Sequence, residues 1–230
     1  MVDLVGLFSN LIRMRVLVAC EFSGIVRDAF AVRGHDAWSC DLLPTERPGN
    51  HIQGDVLKVL NDGWDLMIAH PPCTWLCQAM RTNAARKDRP TISSVFEAER
   101  DMAFGFVVQL WNATIHRIAI ENPIGYLNSA LRKPDQIIRP FMFGHNYNKD
   151  VCLWLKNLPP ICATRIVPPP YRKLDFWSDK RNPNGRSLKS ITFQGIADAF
   201  ASQWDNPKHL FQPHLAPPFT FPLDNPGDQE

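Results

Sequence analysis

A thiol and a carboxyl group, each set just beyond an apolar run, carry the most chemical information in this chain. Cys73 closes Pro71-Pro72-Cys73 directly after Asp65-Leu66-Met67-Ile68-Ala69, and Glu121 opens Glu121-Asn122-Pro123 directly after residues 115–120. The two prolines stiffen the backbone ahead of the cysteine, and a helix or loop opening behind it is expected to lower the thiol pKa, which suits a nucleophile. Glu121 is the partner such a thiol needs: partial burial at a strand end is expected to raise its pKa, so that it donates or shares a proton near neutrality. Each also has an ordinary alternative, an inert buried cysteine and a capping or ion-paired glutamate. Cys73 and Cys77 find no second Cys or His pair to complete four ligands, so zinc is not expected.

A second group of residues follows the earlier apolar runs. Glu21-Phe22-Ser23-Gly24 carries one glycine and no P-loop lysine, which argues against a nucleoside triphosphate and for a ligand without phosphates that backbone approaches closely, as S-adenosylmethionine would be. Asp41 stands where a carboxylate accepts both hydroxyls of a ribose, and Asp55 where it meets an adenine amino group. A solvated turn or a helix cap explains either aspartate equally simply.

The elements that must position these groups alternate along the chain. Arg15-Val16-Leu17-Val18-Ala19 reads as a strand, followed by a helix reaching Gly34. Further strands are expected at 36–40, 51–52, 65–69, 115–120 and 151–155. Residues 93–111 form the clearest helix, and 191–204 form a last one with Ile196, Phe200 and Trp204 on one side. This order predicts an α/β domain with a doubly wound, mostly parallel sheet and helices on both faces. Ligands of such sheets bind beyond the carboxyl ends of the strands, where the residues named above fall.

Length and composition set bounds on this reading. At 230 residues, 45% of them hydrophobic, the chain can bury one substantial core. Residues 1–13 read as an extension before the catalytic unit at 14–204, with Met14 a plausible alternative start, and 205–230 as a Pro-rich loose tail. No run approaches the ~18 apolar residues of a membrane span and no signal cleavage site follows the first apolar stretch, so a cytoplasmic, membrane-free protein with reduced cysteines is expected. The net charge of +2 is uninformative, but the basic residues cluster. Arg81, Arg86 and Lys87 fall in one segment, and Arg172, Lys173, Lys180, Arg181 and Arg186 in another; each reads as solvated loop or as phosphate-gripping surface.

Taken in order, these pieces resemble the cytosine-C5 DNA methyltransferase family, especially its small phage and prophage members, over residues 15–158. Phe22-Ser23-Gly24 is similar to the family's first cofactor motif, Asp41 and Asp55 to its acidic cofactor contacts, Pro71-Pro72-Cys73 to its nucleophile motif and Glu121-Asn122 to its catalytic pair. The resemblance implies a Rossmann-like S-adenosylmethionine-dependent methyltransferase fold. It further implies that Cys73, Glu121, Asn122 and Lys149 are catalytic, and that Glu21, Phe22, Ser23, Gly24, Asp41, Leu42, Asp55, Val56 and Pro71 hold S-adenosylmethionine. Cys73 would add to carbon 6 of a cytosine flipped out of DNA or supplied single-stranded, while Glu121 holds N3 and carbon 5 takes the methyl. The segment at 81–90 resembles the loop that closes over the base, and 195–204 the closing helix that returns to the cofactor pocket.

Three departures from the family pattern bear on that expectation. Lys149 stands where an arginine is usual, Val26 where a further glycine is common, and no Gly-Asn pair precedes the last helix. Only residues 161–190 occupy the place of the recognition domain, so a long sequence footprint is not expected, and a protein partner would be one source of specificity. A monomer is favoured. Two alternatives follow: C5 modification of a free cytosine nucleotide, and a catalytically silent protein of the same fold that binds DNA or a partner. Methylation of an amino nitrogen is disfavoured, since such sites use a polar-Pro-Pro-aromatic motif and no thiol.

Overall fold

Val16, Leu17, Val18 and Ala19 are all fully buried, because helices cover both faces of the sheet to which they belong. The computed structural model describes residues 13–78, 91–168 and 192–205. Seven strands form one sheet: β1 (Arg15–Ala19), β2 (Asp36–Asp41), β3 (His51–Gln53), β4 (Leu66–Ala69), β5 (Arg117–Pro123), β6 (Gln136–Ile138) and β7 (Val151–Lys156). Their spatial order is β3-β2-β1-β4-β5-β7-β6. The first five run parallel, and β7 lies antiparallel to both β5 and β6. This mostly parallel α/β sheet is compatible with a Rossmann-like fold, and its order reverses between β1 and β4.

Side-chain alternation divides the core in two. Val16, Val18, Leu66, Ile68 and Leu153 face α1 (Ile25–Ala31) and the C-terminal helix (Gln194–Trp204), which pack on each other. Leu17, Ala19, Met67, Ile118, Ile120 and Trp154 face α2 (Thr91–Trp111), whose Phe104, Val107, Val108 and Trp111 cover that side. Burial on both faces explains why these strands read as continuous apolar runs. A short helix, α3 (Leu127–Ala130), follows β5, so the C-terminal helix is α4.

The boundaries differ from expectation where tertiary pairing intervenes. Regular helix ends at Ala31, and the turn to Gly34 closes with His35 N–H donating to Phe30 O and Gly34 N–H to Ala31 O. That is a Schellman cap, with Gly34 at φ 87°. β5 does not stop at Ile120. It runs on through Glu121, Asn122 and Pro123, because β7 supplies partners at Leu153, Cys152 and Val151. β6 and α3 were not expected at all. Among the described residues no helix is long and apolar enough to cross a membrane.

Candidate functional site

Every candidate group in the described residues stands on one edge of the sheet. In strand order, Gly54 and Asp55 follow β3, Asp41 ends β2, Cys20 and Glu21 follow β1, and His70 to Cys73 follow β4. Glu121 comes one residue past Ile120, the last residue of β5 paired with β4. Lys149 precedes β7, whose antiparallel direction brings its start to the same edge. Cross-strand bonds continue the row: Gly54 N–H to Asp41 O at 2.8 Å, Glu21 N–H to Cys40 O at 3.2 Å and His70 N–H to Ala19 O at 2.9 Å.

Cys73, Glu121, Asn122 and Lys149 line a single cleft. Its floor is rigid. Asn122, only 1% exposed, donates from Nδ2 to Pro71 O at 2.8 Å and so ties the end of β5 to the Pro-Pro-Cys loop. After Cys73 the chain turns helically, with Leu76 and Cys77 N–H groups donating to Cys73 O at 3.1 and 2.9 Å, while Cys73 itself is exposed. Across the cleft, His70 Nδ1 lies 3.2 Å from Glu121 Oε2. The far wall comes from α4 and the residues before it, Thr192, Phe193 and Ile196.

Two electrostatic expectations are corrected. Although the residue is exposed on the cleft rim, desolvation by the surrounding walls pushes the Cys73 thiol up rather than down, with Cys77 and Glu121 adding to the rise, and Lys149 together with a backbone hydrogen bond opposing it. For Glu121, burial does act to raise the pKa, but the His70 hydrogen bond and the charges of Lys149 and His70 outweigh it, and the carboxyl lies below its ordinary value. Both directions favour a neutral thiol beside an ionised carboxylate.

The other end of the row is built from local turns. Glu21, buried, spends both oxygens on the start of α1: Oε1 accepts from Val26 N–H at 2.7 Å and Oε2 from Arg27 N–H at 3.2 Å. Ser23 Oγ accepts from Ile25 N–H at 3.3 Å and donates to Glu21 Oε1 at 3.2 Å. Gly24 has φ 71°, and a Cβ there would lie 2.4 Å from the Arg27 guanidinium. That guanidinium, 1% exposed, bonds Ser39, Thr45 and the carbonyls of Arg47 and Pro48, and so holds the loop after β2.

Asp41 Oδ1 accepts from Leu43 N–H at 2.9 Å, and Asp55 Oδ1 caps the following 3-10 turn through Leu57 N–H at 3.0 Å. Both are also the local turn residues that the simpler reading describes. Burial first, then Asp41, Cys40 and Asp55, push the Cys20 thiol far above its usual value, and burial with the same two aspartates brings Cys40 up to about 11. This end is thus acidic. Leu42 is 72% exposed beside Asp41, Phe22 is half-buried, and Val56 and Pro71 are buried.

The donor set fits a ligand that donates hydrogen bonds and carries positive charge. Asp41 and Asp55 offer carboxylate oxygens, Leu42 offers apolar surface, and the acidic field opposes a phosphate. A sulfonium nucleoside such as S-adenosylmethionine would meet that description, and Asp41 and Asp55 would be the carboxylates to hold it; Glu21 shapes the turn.

Sequence reasoning missed His70 and the Thr192-Phe193 wall. His70 lies between an expected strand and the two prolines, so its position at the strand end was the available signal; nothing local marks 192 and 193. The candidate nucleic-acid contacts Arg81, Arg86, Lys87, Arg172, Lys173, Arg181 and Arg186 lie outside the described residues. No protein-family model matches the chain, and no curated protein matches it in sequence.

Proposed function

We propose that the chain is a methyltransferase that moves a methyl group from S-adenosylmethionine to carbon 5 of cytosine in DNA, through a covalent adduct on Cys73. One observation carries this reading: Cys73 and Glu121, far apart in the sequence, line the same cleft together with Lys149. The acidic strand ends beside that cleft and the mostly parallel α/β sheet support it further.

The chemistry follows from the resting proton inventory. Cys73 Sγ bonds to carbon 6, and the proton it gives up reaches N3 through Glu121, which starts ionised and so is free to accept it. Lys149 favours the thiolate during that step, as its charge already opposes the rise of the Cys73 pKa. Addition makes carbon 5 electron-rich. When bound at Asp41 and Asp55, S-adenosylmethionine supplies the electrophilic methyl. Loss of the carbon 5 proton to solvent then breaks the carbon 6–sulfur bond, and the N3 proton returns through Glu121 to the Cys73 sulfur, which restores both the ring and the neutral thiol. Asn122 keeps the nucleophile loop in register with Glu121 through Pro71 O.

The test uses DNA of mixed sequence in which 5-fluorocytosine replaces cytosine, offered with cofactor in single-stranded and duplex form. Fluorine blocks the final elimination, so the wild-type protein is expected to accumulate an adduct that peptide mass spectrometry maps to Cys73. Cys73→Ala is expected to form none. An adduct on another residue, or equal trapping by Cys73→Ala, rejects the mechanism.

A further inference from the structure

The loops that carry Cys73 and Glu121 enclose a second cavity, of about 400 Å³, two residues or so further along each. Trp75 and Ile124 come from these loops, Tyr126 follows, and Phe96 and Arg100 reach in from α2. The two loops are locked together. Cys77 and Gly125 form an antiparallel bridge, Tyr126 N–H donates to Leu76 O at 2.7 Å, and a Cβ on Gly125 would sit 2.0 Å from Leu76 O. The second cavity is therefore held at a fixed offset from the first.

Its lining selects a flat π system. Trp75 and Tyr126 are half-buried; Phe96 meets Trp75 edge-on at 5.9 Å between centroids, and Phe104 meets Tyr126 edge-on at 5.6 Å. The Arg100 guanidinium lies 4.6 Å over the Tyr126 ring, leaving a planar cation at the wall. Aromatic faces with an arginine plane are how unpaired nucleobases are gripped without sequence choice. Two residues of backbone span at most about 7 Å, so a base here belongs to the nucleotide next to the one at Cys73.

We infer that the Trp75-Tyr126-Arg100 cavity is a stacking subsite for the base flanking the target cytosine, and that the acceptor strand is single-stranded where it meets the protein. The inference rests on the cytosine-modifying reading and names its substrate class. A flanking base still paired in a duplex cannot enter such a cavity, whereas an unpaired strand fills both at once.

The experiment measures equilibrium binding by fluorescence anisotropy of labelled single-stranded oligonucleotides with one central cytosine. In separate strands an abasic site replaces the nucleotide on its 5′ or its 3′ side. For the wild-type protein one of the two lesions is expected to weaken binding about 10-fold to 100-fold, the range that base–aromatic stacking supplies. Trp75→Leu and Arg100→Gln are expected to bind the intact strand more weakly and to lose most of that lesion effect. The second variant keeps the packing of Phe96, so a folding defect in the first does not decide the matter. Binding that ignores both lesions, lesion effects unchanged in both variants, or duplex bound as tightly as single strand would overturn the inference. Because no methyl transfer is read, the binding result does not depend on the covalent step, and failure of the catalytic reading shows separately in the 5-fluorocytosine test.

Discussion

At the β1 to β3 end of the strand-end row, burial and then Asp41 and Asp55 drive the neighbouring thiols Cys20 and Cys40 up. At the β4, β5 and β7 end, the His70 hydrogen bond and then Lys149 hold Glu121 down, and Lys149 opposes the rise that burial, Cys77 and Glu121 impose on Cys73. Thiols on one stretch of sheet edge thus meet carboxylates alone at one end, and a carboxylate together with a lysine at the other, within a few strands. The first end suits a cationic nucleoside, and the second, where Lys149 opposes the rise at Cys73, suits an attacking sulfur and its carboxylate partner. Their construction differs too. The Cys73 end is clamped by a bond between distant segments, Asn122 to Pro71, while the other end combines turns that close within a few residues with one buried guanidinium, Arg27, that gathers the loop after β2.

If the two ends have separate duties, substitutions should separate kinetically. Glu121→Gln keeps shape but cannot carry the proton, and is expected to lower kcat by about 10²-fold to 10⁴-fold with cofactor KM little changed. Asp41→Asn is expected to do the reverse, raising cofactor KM by about 10-fold or more while kcat stays near wild type, as loss of a charge-assisted hydrogen bond implies. Steady-state methyl transfer at saturating DNA measures both. A fall in kcat for Asp41→Asn matching that of Glu121→Gln would collapse the distinction.

Stability should report the second difference. Arg27 is buried and serves five groups around the acidic end, so Arg27→Ala is expected to lose about 2 to 4 kcal/mol in urea unfolding, through stranded polar partners and a cavity. Asn122→Leu at the other end strands only the Pro71 carbonyl, and about 1 to 3 kcal/mol is expected. A smaller loss for Arg27→Ala than for Asn122→Leu would mean that the local turns, not the guanidinium, hold the loop after β2.

How much of this was legible in the sequence follows the same division. Strand positions were readable because Val16 to Ala19 and Leu66 to Ala69 are buried on both faces and leave unbroken apolar runs. Cys73 and Glu121 were readable because strand ends of such sheets are where ligands bind. β6 and α3 were not, since three or four residues are too few to show a period and their pairing comes from β7 and the loop before it. The pKa directions were also out of reach. They depend on His70, fifty-one residues from Glu121, and on Lys149, which only the antiparallel return of β7 brings to the cleft. Asp41 and Asp55 were named as candidates, and their turn-forming bonds are those any strand-end aspartate would make, so sequence alone could not rank the two readings.

The smallest effects give the sharpest test of where one field ends and the other begins. Alkylation of Cys73 by iodoacetamide, followed peptide by peptide so that other cysteines do not count, tracks the thiolate fraction as pH rises. Because burial raises this thiol, the midpoint is expected above that of an ordinary cysteine. Lys149→Ala removes the charge that favours the thiolate, so the midpoint should move up; Glu121→Gln removes a repelling carboxylate, so it should move down. Asp41→Asn should leave Cys73 where it was and lower the midpoints of Cys20 and Cys40 instead. A Cys73 midpoint that follows Asp41 would mean that the two ends share one field, and the assignment of cofactor to one and nucleophile to the other would lose its electrostatic basis.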